Sequence, residues 1–210
     1  MSRRDFVLPV VRIGFAATAI VAMTYQFAAT ADSSFQKANF FSFFTIQANL
    51  LAVATLCVLV IVRRGERTAL VDAMRSGVVL YMAITGIVFA LLLSGLQEEL
   101  QTTIPGVDFV VHKLMPVVLV VDWLVDPPRH RLSLWTAAAW LSFPFAWFLY
   151  TIARGTSVDW YPYPFVDVGE LGYGGVLGRA SVLLVGFALA AVALLLLGNR
   201  LAGRRAAAVG

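Results

Sequence analysis

Six stretches of mainly apolar residues recur along the chain, at about 6–26, 40–62, 77–96, 107–125, 134–152 and 180–201. A helix rises 1.5 Å per residue and needs roughly 20 such residues to cross a hydrocarbon core. The pattern predicts an all-α integral membrane protein with six transmembrane helices in one domain, residues 1–210. Short polar or Pro/Gly-containing connections separate the windows, with no internal repeat and no low-complexity tract. The longest connection, residues 153–178, contains WYPYPFVD and then Gly172, Gly174, Gly175 and Gly178. Trp and Tyr favour the headgroup level and proline opposes regular helix, so this stretch predicts a cap over the outer mouth of the bundle. A plain aromatic belt is the alternative.

Composition agrees with that class. Hydrophobic residues make up 60% of the chain and charged residues 13%, against about a quarter charged in soluble domains. Cys57 is the only cysteine, so no disulfide and no Cys-based zinc site forms within one chain. The formal charge of +4 would suit a nucleic-acid binder, but the basic residues lie elsewhere than in one patch. Arg3, Arg4, Arg63, Arg64, Arg67, Arg75, Arg129, Arg131, Arg200, Arg204 and Arg205 fall on one side of the windows, and Lys37, Arg154 and Arg179 on the other. The positive-inside rule then puts both termini in the cytoplasm, which requires an even number of spans. The first window also reads as a signal peptide, because Arg3 and Arg4 precede an apolar run ending in FAATADS. Its length, and the odd span count its removal would leave, argue for a retained helix.

The polar residues inside the windows change the picture most. The fourth window, VDFVVHKLMPVVLVVDWLV, holds Asp108, His112, Lys113 and Asp122. An ionisable group within a membrane helix is costly unless paired or hydrated, so it marks a candidate site. Arg12 in the first window lies about 9 Å from the cytoplasmic end, at a depth similar to Asp122, and a buried Arg12–Asp122 ion pair removes both costs. Snorkelling of Arg12 to the interface is the alternative. The second window opens NFFSFFTIQANLL. Ser42, Thr45 and Asn49 share one helix face there, and Gln47 points elsewhere. Interhelical hydrogen bonding alone also explains such a stripe.

Thr45 and His112 each lie roughly 8 Å below the outer ends of their windows. If those helices are neighbours, a hydroxyl meets an imidazole, the minimum for nucleophilic acyl transfer. The histidine is the general base, and Asp108, four residues before it, orients or charges the ring. Lys113, the Gln47 amide or backbone N–H groups are candidates for holding an oxyanion.

The stretches FFSFFTIQANL, VVHKLMP…D and YPYPF resemble bacterial relatives of the androgen-induced protein family, which includes the androgen-dependent regulator of tissue factor pathway inhibitor. The resemblance implies six transmembrane helices in a bacterial cytoplasmic membrane. It also implies an intramembrane threonine–histidine pair that hydrolyses lipid esters of hydroxy fatty acids. Thr45 matches the family's nucleophile and His112 its histidine, with Asp122 ten positions on. Ser42, flanked as FFSFF, fits the local pattern as an alternative nucleophile, and the proline after the histidine is displaced by one.

The expectation is therefore an intramembrane lipid esterase with catalytic Thr45 and His112. Asn49, Gln47, Asp108, Lys113 and Tyr163 support it or contact the substrate. Arg12 and Asp122 form a structural pair. A membrane lipid or lipid-like ester is the partner, and no metal, cofactor or nucleic acid is expected. Two other readings use the same residues: a non-catalytic lipid-binding or permeation protein, and a structural subunit, for which Gly174 and Gly178 supply a small GxxxG.

Overall fold

The computed structural model describes residues 3–30, 37–62, 66–96 and 104–207, with side chains from Phe6 to Gly203. Arg63 and Arg64, and the side chains of Arg3, Arg4, Arg204 and Arg205, lie outside the described residues. Every regular element among the described residues is helical. In order they are α1 Arg3–Thr30, α2 Lys37–Ser42, α3 Phe44–Ile61, α4 Ala69–Val88, α5 Pro105–Phe109, α6 Met115–Val125, α7 Leu134–Trp140, α8 Ser142–Val158 and α9 Val168–Ala207. A π-turn, Phe89–Leu93, prolongs α4, and another, Val110–Leu114, joins α5 to α6 into one rod.

Five helical stretches are long and apolar enough to cross a membrane: Phe6–Thr30, Phe44–Ile61, Ala69–Leu93, Leu134–Val158 and Val168–Gly203. The α5–α6 rod is of comparable length, about 30 Å at 1.5 Å per residue, but carries Asp108, Lys113 and Asp122. α4 is central. It packs on α3, α6, α7 and α9, and 61% of its apolar window is buried against 44% or less in the other four. α1 packs against α3 and the α5 end of the rod.

The polarity is inverted relative to a protein folded in water. Phe6, Val21, Leu91, Trp135, Val182 and Leu189 are exposed, while Arg12, Asn49, Asp72, Arg75, Asp108 and His112 are buried. Water would penalise that apolar exterior and lipid does not.

The helices depart from the windows in four places. The second window is broken: Phe43 is extended (φ −67°, ψ 128°), so α2 ends and α3 begins inside it. The third helix starts at Ala69, two turns before its window, where the Thr68 hydroxyl accepts from Val71 N at 3.3 Å. Its first turns hide Asp72 and Arg75 in the interior, so they are helix and not loop. The fifth is kinked at Leu141 and runs on to Val158. The sixth begins at Val168 and bends at Gly172, whose φ is 63°. The cap stretch expected at 153–178 is thereby reduced to residues 159–167, with Asp159 (φ 52°) closing α8 in a left-handed turn.

Candidate functional site

The break at Phe43 places a helix N-terminus inside the bundle. The first N–H groups of a helix have no intrahelical acceptor. Phe43 supplies no capping side chain, and Phe43, Phe44, Thr45 and Ile46 are all buried. The acceptor comes from far along the chain. Thr45 N donates to the Tyr163 phenol oxygen at 3.2 Å, and Thr45 Oγ1 lies 3.3 Å from the same oxygen. Burial pushes the Tyr163 phenol above its ordinary pKa, and hydrogen bonds from Thr45 and the Phe44 backbone only partly oppose this. Tyr163 is thus a neutral phenol at physiological pH.

Aromatic packing sets Tyr163 in place. Its ring meets Phe43 edge-on at 5.6 Å and stacks on Phe165 at 5.1 Å. Trp147 lies 5.8 Å away and donates its Nε1 to the Ser42 carbonyl at 2.9 Å, satisfying an orphan group at the end of α2. Ser42 Oγ donates to Ala38 O at 2.8 Å and lies 2.9 Å from the Tyr150 hydroxyl. Its hydroxyl therefore ties α2 to α8. Gln47 Nε2 donates to Phe41 O at 2.8 Å, bridging the break.

Thr45 and Tyr163 both line a cavity of about 230 Å³. Phe44, Thr85, Trp147 and Phe187 are also in its wall, and no charged residue among those described lines it. Phe145 of α8 and Leu177 and Leu184 of α9 line it and are also exposed, so it opens sideways between those two helices. Thr85 is 5% exposed and its Oγ1 has no hydrogen-bond partner among the described residues.

His112 sits on the π-turn of the α5–α6 rod. Met115 N bonds to Val110 O, five residues back, and Pro116 has no N–H to offer Val111 O. Asn49 Nδ2 takes over, donating to Val111 O at 3.1 Å and to Thr45 O at 2.9 Å. His112 Nδ1 lies 2.8 Å from Asp108 Oδ1, which favours a proton on Nδ1 and leaves Nε2 as the basic nitrogen. The imidazole stacks on Phe89 of the other π-turn, with ring centroids 4.2 Å apart and 12° between planes. Lys113 is exposed, its Nζ 5.6 Å from the Phe89 ring centroid.

The residues singled out in the sequence thus fall into separate groups. Thr45 meets Tyr163, while His112 meets Asp108 and Phe89. No hydrogen bond joins Thr45 to His112, and His112 is not part of the cavity wall. The hydroxyl facing Thr45 is a phenol 118 positions away, which no local pattern signals.

The opposite end of the bundle holds an ion cluster. Arg12 donates to Asp122 at 2.8 and 3.3 Å and to Asp126 at 2.8 Å. Arg75 donates to the Asp122 carboxylate at 2.6 Å and to the Asp126 carbonyl. Arg67 donates to Asp126 Oδ1 at 3.0 Å and lies 3.9 Å from Asp72. Asp72 also accepts Arg129 N and His130 N, and His130 Nδ1 lies 2.8 Å from it. Arg67 and Arg75 are 3% and 1% exposed, so these two arginines are structural partners and not the lipid-facing loop charges they resemble in the sequence.

No family model, curated protein or solved structure matches the chain.

Gly174 and Gly178, the small GxxxG pair, have nothing packed against them among the described residues. Arg154, near the cap, donates to Asn39 Oδ1 at 2.6 Å and lies over the Trp160 ring at 5.4 Å.

Proposed function

We propose that the protein is an integral membrane protein of six spans with cytoplasmic termini that binds the acyl chain of a lipid or fatty-acid ester in the Thr45 cavity. The observation that carries this reading is the cavity itself: mainly apolar walls that include the hydroxyl residues Thr45 and Tyr163, and a sideways mouth between α8 and α9. Such a shape suits a ligand that arrives from lipid and is polar at one end. The α5–α6 rod serves as the remaining span, its charges paired inside the bundle. The arginine asymmetry supports the orientation even without Arg67 and Arg75. Native mass spectrometry of the purified chain tests the binding. One acyl lipid per chain is expected, and Ser181→Trp, which fills the mouth, should remove it. Finding no bound or exchangeable acyl lipid in the parent protein sinks the reading.

Hydrolysis is the second reading, favoured by the Asp108–His112 hydrogen bond, which leaves Nε2 basic. In it, Thr45 Oγ1 releases Tyr163, passes its proton to His112 Nε2 and attacks the ester carbonyl; the C–O bond to the alcohol breaks, the imidazolium returns the proton to the departing oxygen, and the alcohol leaves an acyl-threonine behind. Water then frees the acid. The likeness of the FFTIQAN and VVHKLMP stretches to the androgen-induced family supports the same roles. A medium-chain ester reporter decides it. Thr45→Ala and His112→Ala should each abolish turnover, while Ser42→Ala, whose hydroxyl is tied to α8, retains it. Turnover that survives His112→Ala removes this reading and leaves binding.

A further inference from the structure

α4 and the π-turn that prolongs it present two faces. Ile84, Thr85, Val88 and Leu93 line the cavity. Gly86 and Phe89 face the α5–α6 rod. A Cβ on Gly86 would come within 3.1 Å of the Pro116 side chain and 3.6 Å of His112 O, and the Phe89 ring stacks on the imidazole at 4.2 Å. Thr85 and Phe89 are four residues apart, so they are neighbours on the helix surface. One layer of side chains therefore stands between the cavity and the imidazole. Phe89 is 2% exposed and His112 4%, and neither lines the cavity. The layer stands on irregular backbone. The Phe89 N–H is shared between the Thr85 and Gly86 carbonyls, where the hydrogen-bond ladder changes register, and His112 stands on the π-turn of the rod. π-turns are rare and recur at functional sites, and here two of them meet through one stacked pair of rings.

We propose that the acyl cavity and the Asp108–His112 pair are two compartments of one site, and that the Phe89 ring is the gate between them. The proposal rests on the acyl-binding reading and supplies the path that hydrolysis by His112 requires. With the ring in place, an ester in the cavity meets Thr45 but no base. With the ring swung off the imidazole, Nε2, the nitrogen that the Asp108 contact leaves basic, opens to the cavity. The void beside α4 gives the ring somewhere to go, which a close-packed interior would not. Two contacts hold the gate closed at rest. One is the stack itself, and the other is Lys113 Nζ, 5.6 Å from the same ring. One aromatic pair shifts a population about fivefold, small enough for the ring to open unaided. Phe89 touches neither the ester nor the proton in this scheme. It sets how often the imidazole is presented to the cavity.

The test is modification of the full chain in detergent by diethyl pyrocarbonate, which acylates a free imidazole nitrogen, read residue by residue from peptide masses. The chain has two histidines, and His130, with its side chain 42% exposed, is the internal reference. Wild-type His112 should react more slowly than His130. Phe89→Ala should raise the His112 rate about fivefold, the value of one lost aromatic stack, and leave His130 unchanged. Phe89→Leu fills more of the space and should move the rate the same way, which guards against a folding defect in the alanine variant. The gain must also come through the cavity. Methyl decanoate, or Ser181→Trp at the mouth, should return the Phe89→Ala rate to that of the wild type. A His112 rate unchanged in both Phe89 variants, or a gain that survives methyl decanoate or the Ser181→Trp plug, overturns the proposal while leaving acyl binding intact. Failure of methyl decanoate to bind the wild type, read by native mass spectrometry, overturns both.

Discussion

Asn49 Nδ2 donates to the Val111 carbonyl at 3.1 Å, the carbonyl that Pro116 leaves without its helical donor. One side chain of α3 thus completes the backbone of another helix at the turn that carries His112. Asn49→Leu should cost about 1 kcal/mol, the usual size of an interhelical hydrogen bond in lipid. In a Pro116→Ala background the restored N–H can serve Val111, so the same substitution should cost less. Thermal unfolding of the four proteins in detergent gives the coupling directly; additive effects would mean that Asn49 does not serve the proline's orphan.

The ion cluster makes a sharper prediction. Arg12, Arg67 and Arg75 face Asp72, Asp122 and Asp126, three charges of each sign among the described residues. Arg12→Met leaves a buried negative excess and should destabilise by about 3–5 kcal/mol. Adding Asp126→Asn restores the balance and should recover part of that loss, although it removes a further partner of Arg67. Folded yield and melting temperature of the single and double variants check this. A double variant worse than the sum of its parts would contradict charge balance as the cause.

Tyr163 gives the fold an alkaline limit. Its phenol is raised above the ordinary value by burial, so the folded state keeps a proton that the unfolded state releases near pH 10. The stability it contributes is complete below that pH and is lost as pH rises toward the folded value. The melting temperature of the wild type should therefore fall more steeply above about pH 10 than that of Tyr163→Phe. Parallel curves would show that the buried phenol does not titrate with unfolding.

Gly155 is the seat of the cap. A Cβ there would collide with the Tyr161 ring. Gly155→Ala should lift residues 159–167 from α8 and expose them to limited proteolysis, with little effect on the ion cluster at the far end. Protection equal to wild type would mean that Tyr161 has another place to rest.

Much of this was written locally. The apolar windows announced the helices, and the cost of isolated charges brought Arg12 to Asp122 and set His112 beside Asp108. The break at Phe43 was not announced, because the N-cap position is a phenylalanine and the neighbouring Ser42 hydroxyl bonds to Ala38 O and Tyr150 instead of capping α3; tertiary packing of Tyr163 and Trp147 holds it open. Asp72 and Arg75 read as loop because they lower the hydropathy of the first two turns of α4. Only their partners, Arg67, Asp122, Asp126 and His130, show that they belong inside. Tyr163 was picked out as a residue of an aromatic stretch. Its contact with Thr45 depends on how α8 and α9 return the chain, which periodicity does not encode.

The π-turn Val110–Leu114 has one further consequence. It stores an extra residue without lengthening the span by a full step, and one residue of an α-helix corresponds to about 100° of rotation. Excising a single codon there would act as a dial: everything before the excision, Asp108 included, would swing to another bearing while Asp122 and Trp123 kept theirs. Length variants of this helix are therefore changes of aim, and the direction of the imidazole is set by counting residues as much as by choosing them.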